Sequence, residues 1–155
     1  MSKPRYPWWG YIKNVIRSYP ELKQEYENLH EQSITANLSG MPGGGEVSRG
    51  TENIAIRELP KPKQRRYNAV CNAIEVTARL KTSTERLKVV NAYYWRKSKK
   101  VTLGGAANQA NVCYETAVNY HRDFVMIVAY FMGEATYEEL NDSQKFTLKS
   151  QKNVL

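Results

Sequence analysis

Apolar residues recur along this chain at steps of three and four, the spacing of one buried face of a helix. At the start, Trp8, Tyr11, Ile12, Val15 and Tyr19 follow it, and Leu22, Tyr26 and Leu29 carry it on. Pro7 and Pro20 each suit a helix's first turn, so two short helices are predicted, over residues 8–18 and 20–35. The pattern then stops at Gly40-Met41-Pro42-Gly43-Gly44-Gly45, and polar residues run on to about Thr51. Four glycines and a proline in six positions hold no regular element, which makes this a loop or linker.

Periodicity returns with a Gly-free stretch from Lys63 to Leu80. Tyr67, Val70, Cys71, Ile74 and Ala78 fall on one side of it, leaving Arg65, Arg66 and Arg79 for solvent or phosphate. Thr82, followed three residues later by Glu85, reads as a capping box opening the next helix. That helix carries Leu87, Val90, Ala92, Tyr94 and Trp95 before the cations Arg96, Lys97, Lys99 and Lys100, which would also suit the negative end of its dipole. A short helix containing Ala106 and Ala107, a turn at Asn111, and a longer helix from Cys113 or Tyr114 complete the pattern. The expected architecture is all-α. An N-terminal helical segment (1–39) and a Gly-rich linker (40–60) would precede a helical domain (61–135) and a polar tail (136–155), fraying from residue 143.

Charge changes the picture more than composition does. The 155 residues are 41% hydrophobic, and Lys plus Arg total 23 against 15 acidic side chains, for a net charge of +8. Residues 1–60 hold 7 basic and 7 acidic groups, residues 61–100 hold 12 and 2, and residues 101–155 hold 4 and 6. The excess is thus one block of net +10, a field that attracts phosphates or simply solvates a face. Two cysteines 42 positions apart, Cys71 and Cys113, suggest neither a disulfide framework nor a zinc site. The opening from Met1 to Tyr6 lacks a signal peptide's apolar region, and no run approaches the ~20 apolar residues that span a bilayer. The expected location is the cytoplasm, with no membrane partner.

The candidate chemistry lies in residues 102–124, which have a helix-turn-helix layout. Ala107 is small where two helices cross, Asn111 tolerates the left-handed turn conformation, and Val112, Ala117 and Tyr120 are placed to fill the wedge. The second helix would present Tyr114, Glu115, Val118 and Asn119 to a major groove, with Asn119 suited to adenine and Glu115 to cytosine. Arg122, Arg96, Lys97, Lys99 and Lys100 would meet phosphates. The plain alternative is a helical hairpin whose polar face is merely solvated.

Other motifs carry less. The glycine run lacks the Lys and Ser or Thr of a phosphate-binding loop, since Glu46 and Val47 follow Gly45. The opening aromatics, interleaved with Arg5, Lys13 and Arg17, read either as a stacking surface for single-stranded bases or as a buried helical face or subunit contact. The spacing favours the second. His121, beside Arg122 and Asp123, has no paired nucleophile and is expected at the surface or facing backbone. Glu138, Glu139 and Asp142 lack metal-ligand spacing and read as a solvated face. Neither an enzyme nor a cofactor or metal is expected.

Several of these stretches also resemble the phage and prophage transcriptional regulators of the RinA and ArpU type. They are Arg5-Tyr6-Pro7-Trp8-Trp9-Gly10-Tyr11, the Gly40–Gly45 run, Glu85-Arg86-Leu87-Lys88 leading to Tyr94-Trp95, and Tyr114-Glu115-Thr116-Ala117 followed by His121-Arg122-Asp123-Phe124. The similarity spans about residues 4–130. It implies a helix-turn-helix similar to sigma factor region 4 and activation of late packaging and morphogenesis genes with host RNA polymerase. The DNA-reading role carries over only to Tyr114, Glu115, Val118, Asn119 and Arg122. The expected partner is promoter DNA in a bacterial host cell, bound by a dimer or higher homo-oligomer. Two rivals are a small terminase-like packaging protein and a non-DNA protein-interaction module.

Overall fold

The computed structural model describes residues 6–38, 59–97 and 100–154. Among them every regular element is helical. In chain order these are α1 (Trp9–Leu38), α2 (Lys61–Arg79), α3 (Ser83–Val90) running into a π turn (Asn91–Trp95), α4 (Leu103–Ala110), α5 (Tyr114–Phe131), a 3₁₀ turn (Tyr137–Glu139) and α6 (Asp142–Val154). The expected Gly-rich linker falls almost wholly outside the described residues.

The first two predicted helices are one. α1 runs unbroken through Pro20, whose ring removes the amide hydrogen that residue 20 would give to the Ile16 carbonyl. That carbonyl is instead taken by the indole N–H of Trp95 at 2.8 Å. A tryptophan 79 positions along the chain thus fills the gap that reads, locally, as a helix end.

Two apolar clusters hold the helices together. The larger joins Ile12, Val15 and Ile16 of α1 to Val70, Ala73 and Val76 of α2, to Phe124–Ala129 of α5, and to Leu140 and Leu148 around α6. Each fully buried side chain of this size contributes about 1.5–3 kcal/mol. The N-terminal helix therefore shares its core with α2, α5 and α6. The smaller cluster joins Val89 and Ala92 to Ala106, Ala107, Ala110 and Ala117. Neighbouring Val89 and Val90 serve different clusters, so α3 is the wedge between them.

Three other expectations fail for local reasons. On α2 the fully buried face is Ala69, Val70, Ala73, Val76 and Thr77, while Ala78 is exposed. Tyr67 instead turns toward α1, stacking on Tyr19 and Tyr26 at 5.8 and 4.9 Å. Burial is the main cause that pushes the Tyr19 hydroxyl up to about 12. Thr82 forms no capping box, because it is itself left-handed (φ 57°) and its hydroxyl donates to the Lys81 carbonyl. The tail beyond residue 136 is folded: Asn141 and Gln144 cap α6 reciprocally, at 3.2 and 2.9 Å. The Gln144 amide, 1% exposed, also donates to the Asp123 carbonyl and pins α6 to α5. Glu138, Glu139 and Asp142 are exposed, as a solvated face requires, and Glu139 also accepts from the Thr136 amide at 3.2 Å.

Candidate nucleic-acid interface

The turn between α4 and α5 follows from its residues. Thr102 opens α4, its hydroxyl accepting the Gly105 amide at 3.1 Å. A Cβ on Gly105 would lie 2.7 Å from a Val101 methyl, so a larger residue there makes Val101 shift, whereas one on Gly104 would meet only ordinary contacts. At the other end Asn111 is left-handed (φ 57°, ψ 42°). Its amide bonds to Asn108 O and that of Val112 to Ala107 O, so the last carbonyls of α4 are satisfied as the chain reverses. Ala106, Ala107, Ala110 and Ala117 are nearly bare of solvent, which lets α4 and α5 cross closely, and Val112 and Tyr120 pack at the rim.

α5 has two halves. From Phe124 to Ala129 every side chain is buried, which makes this half the central strut of the larger core. In its first half Tyr114 (51% exposed), Glu115, Asn119 and Arg122 face solvent and Val118 is half-buried. These five sequence candidates occupy adjacent positions of one face. Asn108, Gln109, Asn111 and Cys113 are exposed at the turn beside it. Asn108 and Gln109 were not singled out in sequence, although lying between the buried Ala107 and Ala110 marks them as outward. Hydrogen bonding to Thr116 is the first cause that holds the Cys113 thiol below its usual value, with Sγ to Oγ1 at 2.9 Å.

The basic block does not form one surface. Arg86 pairs with Asp123 at 2.8 Å and lies over the Tyr120 ring at 4.5 Å, bracing α3 against α5. Lys63 pairs with Glu25 at 3.0 Å. Arg65 is no free phosphate ligand but donates to the Met132 carbonyl at 2.9 Å, where Gly133 (φ +81°) ends α5. It also borders a depression of about 350 Å³ lined by Leu59, Lys61, Gln64, Asn68 and Phe131, which pairs no nucleophile with a base. Lys61 and Arg65 lie at the Met132 end of α5, about 27 Å from Tyr114 by helical rise. Of the phosphate candidates, Arg96, Lys97, Lys100 and Arg122 are exposed, and Lys99 lies outside the described residues.

His121 is buried, contrary to expectation, in a cage of Trp9, Tyr93 and Tyr94. Its Nε2 shares a hydrogen bond with the Tyr94 hydroxyl. Desolvation is the largest cause lowering its pKa to about 4, with Lys13 and Arg17 adding to it. Burial, foremost, holds the Tyr94 hydroxyl protonated, so a phenol donating to a neutral imidazole serves both groups. The opening aromatics are divided: Trp8 and Trp9 pack on the core, whereas Tyr6, stacked on Trp8 at 4.7 Å, and Tyr11, expected on the buried face, are exposed.

Among the described residues no His, Cys, Asp and Glu cluster suits a metal ion, and no helix is long and apolar enough to cross a membrane. No protein-family model, curated protein or solved structure matches this chain.

Proposed function

We propose that the chain is a sequence-specific duplex-DNA-binding transcriptional activator of phage or prophage late genes, acting with host RNA polymerase. α4 and α5 then serve as its helix-turn-helix. The observation that carries this reading is the division of α5 into a buried half that fixes the helix and an exposed half with a polar face. A rigid scaffold presenting a few polar side chains is what groove reading needs.

In this reading α5 enters the major groove by its N-terminal turns. Asn119 offers the paired donor and acceptor that match adenine, Glu115 accepts from cytosine N4, and the apolar parts of Tyr114 and Val118 meet thymine methyls. Arg122 and the exposed Arg96, Lys97 and Lys100, with Lys99, anchor the phosphates and fix the register. Paired half-sites would be met by a dimer or higher homo-oligomer. The late-gene role rests on the resemblance of the sequence to the RinA and ArpU regulators.

The test is selection of bound duplexes from a random library at about 150 mM salt, followed by a salt titration on the best site. A defined motif, bound several orders more tightly than random DNA, supports the reading. Asn119→Ala should then cost about 1–3 kcal/mol on the cognate site and little on random DNA. Equal losses on both would remove Asn119 from base reading. Salt-sensitive binding without a motif would favour a packaging role, and no binding at low salt a protein-interaction module.

A further inference from the structure

We propose that the N-terminal helix is part of the nucleic-acid interface: Lys13 and Arg17 of α1 join Arg96 and Lys97 in one phosphate-binding ridge. The proposal rests on the duplex-binding reading above and adds to it an element that lies about 90 positions away in sequence from the helices that read bases.

Three contacts bring these cations together. The Trp95 indole bonds to the Ile16 carbonyl at 2.8 Å, which sets the start of the Arg96-Lys97 segment against the second turn of α1. The Arg17 guanidinium lies 5.8 Å from the centre of the Tyr94 ring, the residue before Trp95. Lys13, one turn earlier, and Arg17 are both close enough to His121 to disfavour its protonation. His121 is in turn the neighbour of Arg122, and Trp9 packs on it at 6.0 Å. The α1 turns that carry these cations thus flank α5 beside its exposed half.

The charge on this ridge is unspent. Arg86 and Lys63 are matched by carboxylates and Arg65 by a carbonyl. Among the described residues, neither Lys13, Arg17, Arg96 nor Lys97 has an ion-pair partner, and Arg17 makes only a 3.4 Å bond to the Asn14 side chain. Arg17, Arg96 and Lys97 are exposed and Lys13 is half-buried. Four cations without counter-charges, held by a hydrogen-bonded joint between two elements, fit a row of phosphodiester oxygens along a backbone flanking the read site. Of the aromatics interleaved with these cations, Trp9 and Tyr19 build the joint from inside, on His121 and Trp95, while Tyr11 is exposed.

The experiment is a salt titration of the full chain on its selected duplex, comparing wild type with Lys13→Gln, Arg17→Gln and the double variant. Thermal melts serve as the folding check, and Arg17→Lys and Lys63→Gln as controls. Each lost phosphate contact lowers the slope of log affinity against log salt by about 0.9 and weakens binding roughly tenfold near 0.1 M salt, on cognate and random duplex alike. Arg17→Lys and Lys63→Gln should keep the wild-type slope. Folded Gln variants with the wild-type slope overturn the ridge while leaving the base-reading helix intact. Absence of binding by wild type instead overturns the underlying reading and the ridge with it.

Discussion

At the scale of single residues, His121 is a buried titratable group followed in the chain by two charged residues. Its neighbours Arg122 and Asp123 are an exposed cation and the partner of Arg86, while the imidazole sits under Trp9, Tyr93 and Tyr94. The pH dependence follows in sign from its pKa of about 4, below the ordinary 6.5. Between those values the unfolded chain takes a proton that the folded chain refuses, so stability is complete above pH 6.5 and falls as pH drops toward 4. The loss is of order 3 kcal/mol. Denaturant titrations across that range should show it for wild type and not for His121→Gln; parallel curves would mean that the cage does not hold the neutral form. Nothing in a lone histidine's sequence context reports such burial, because the aromatics that enclose it come from positions more than 25 residues away. Asn111 was legible for the opposite reason: its left-handed turn is a property of its own backbone.

At the scale of elements, the helices between residues 61 and 131 were readable, while the continuity of the first and the existence of the last were not. Boundaries set by local chemistry, such as the turn between α4 and α5, are written where they occur. The continuity of α1 depends on a remote donor, and a proline with helix-starting character misleads without it. The Pro20 and Trp95 pair makes this testable. Trp95→Phe should cost about 1–3 kcal/mol beyond its packing loss, by stranding the Ile16 carbonyl. In a Pro20→Ala background residue 20 regains an amide for that carbonyl, so the same substitution should cost about 1 kcal/mol less. Additivity of the two within ~0.5 kcal/mol, read from urea midpoints, would deny the link. The polar tail was misread in the same manner. Leu140, Gln144 and Leu148 recur at helical spacing, but the buried side-chain amide of Gln144 looks like surface until its two bonds, from the Asn141 amide and to the Asp123 carbonyl, are seen.

At the scale of the molecule, a chain that looks segmented folds around shared cores. Ile12, Val70, Phe124 and Leu148 belong to one cluster although the sequence divides them among three segments. Unfolding followed by tryptophan fluorescence, which reports Trp8 and Trp9 of the N-terminal region together with Trp95, should therefore coincide with loss of helical circular dichroism in one transition. Two separated transitions would mean that the N-terminal helix folds apart from the other helices. The charge block, a single feature along the chain, is divided in space between a braced set and an unpaired set, and only the fold tells them apart. The outward face of α5 was accordingly legible, and Lys13 and Arg17 were visible as cations among aromatics, but their place beside Tyr94 and Trp95 was not.

α5 is strut and outward face at once, and the two roles meet between Arg122 and Phe124. Substitutions at its outward positions Glu115, Asn119 and Arg122 change what the molecule shows without touching the buried side chains that hold it, so this face is free to drift. The consequence is evolutionary. Related chains should diverge at Glu115, Asn119 and Arg122 while keeping Ala117, His121 and Phe124, and a new target would be acquired by exchanging a handful of outward side chains on an inherited frame.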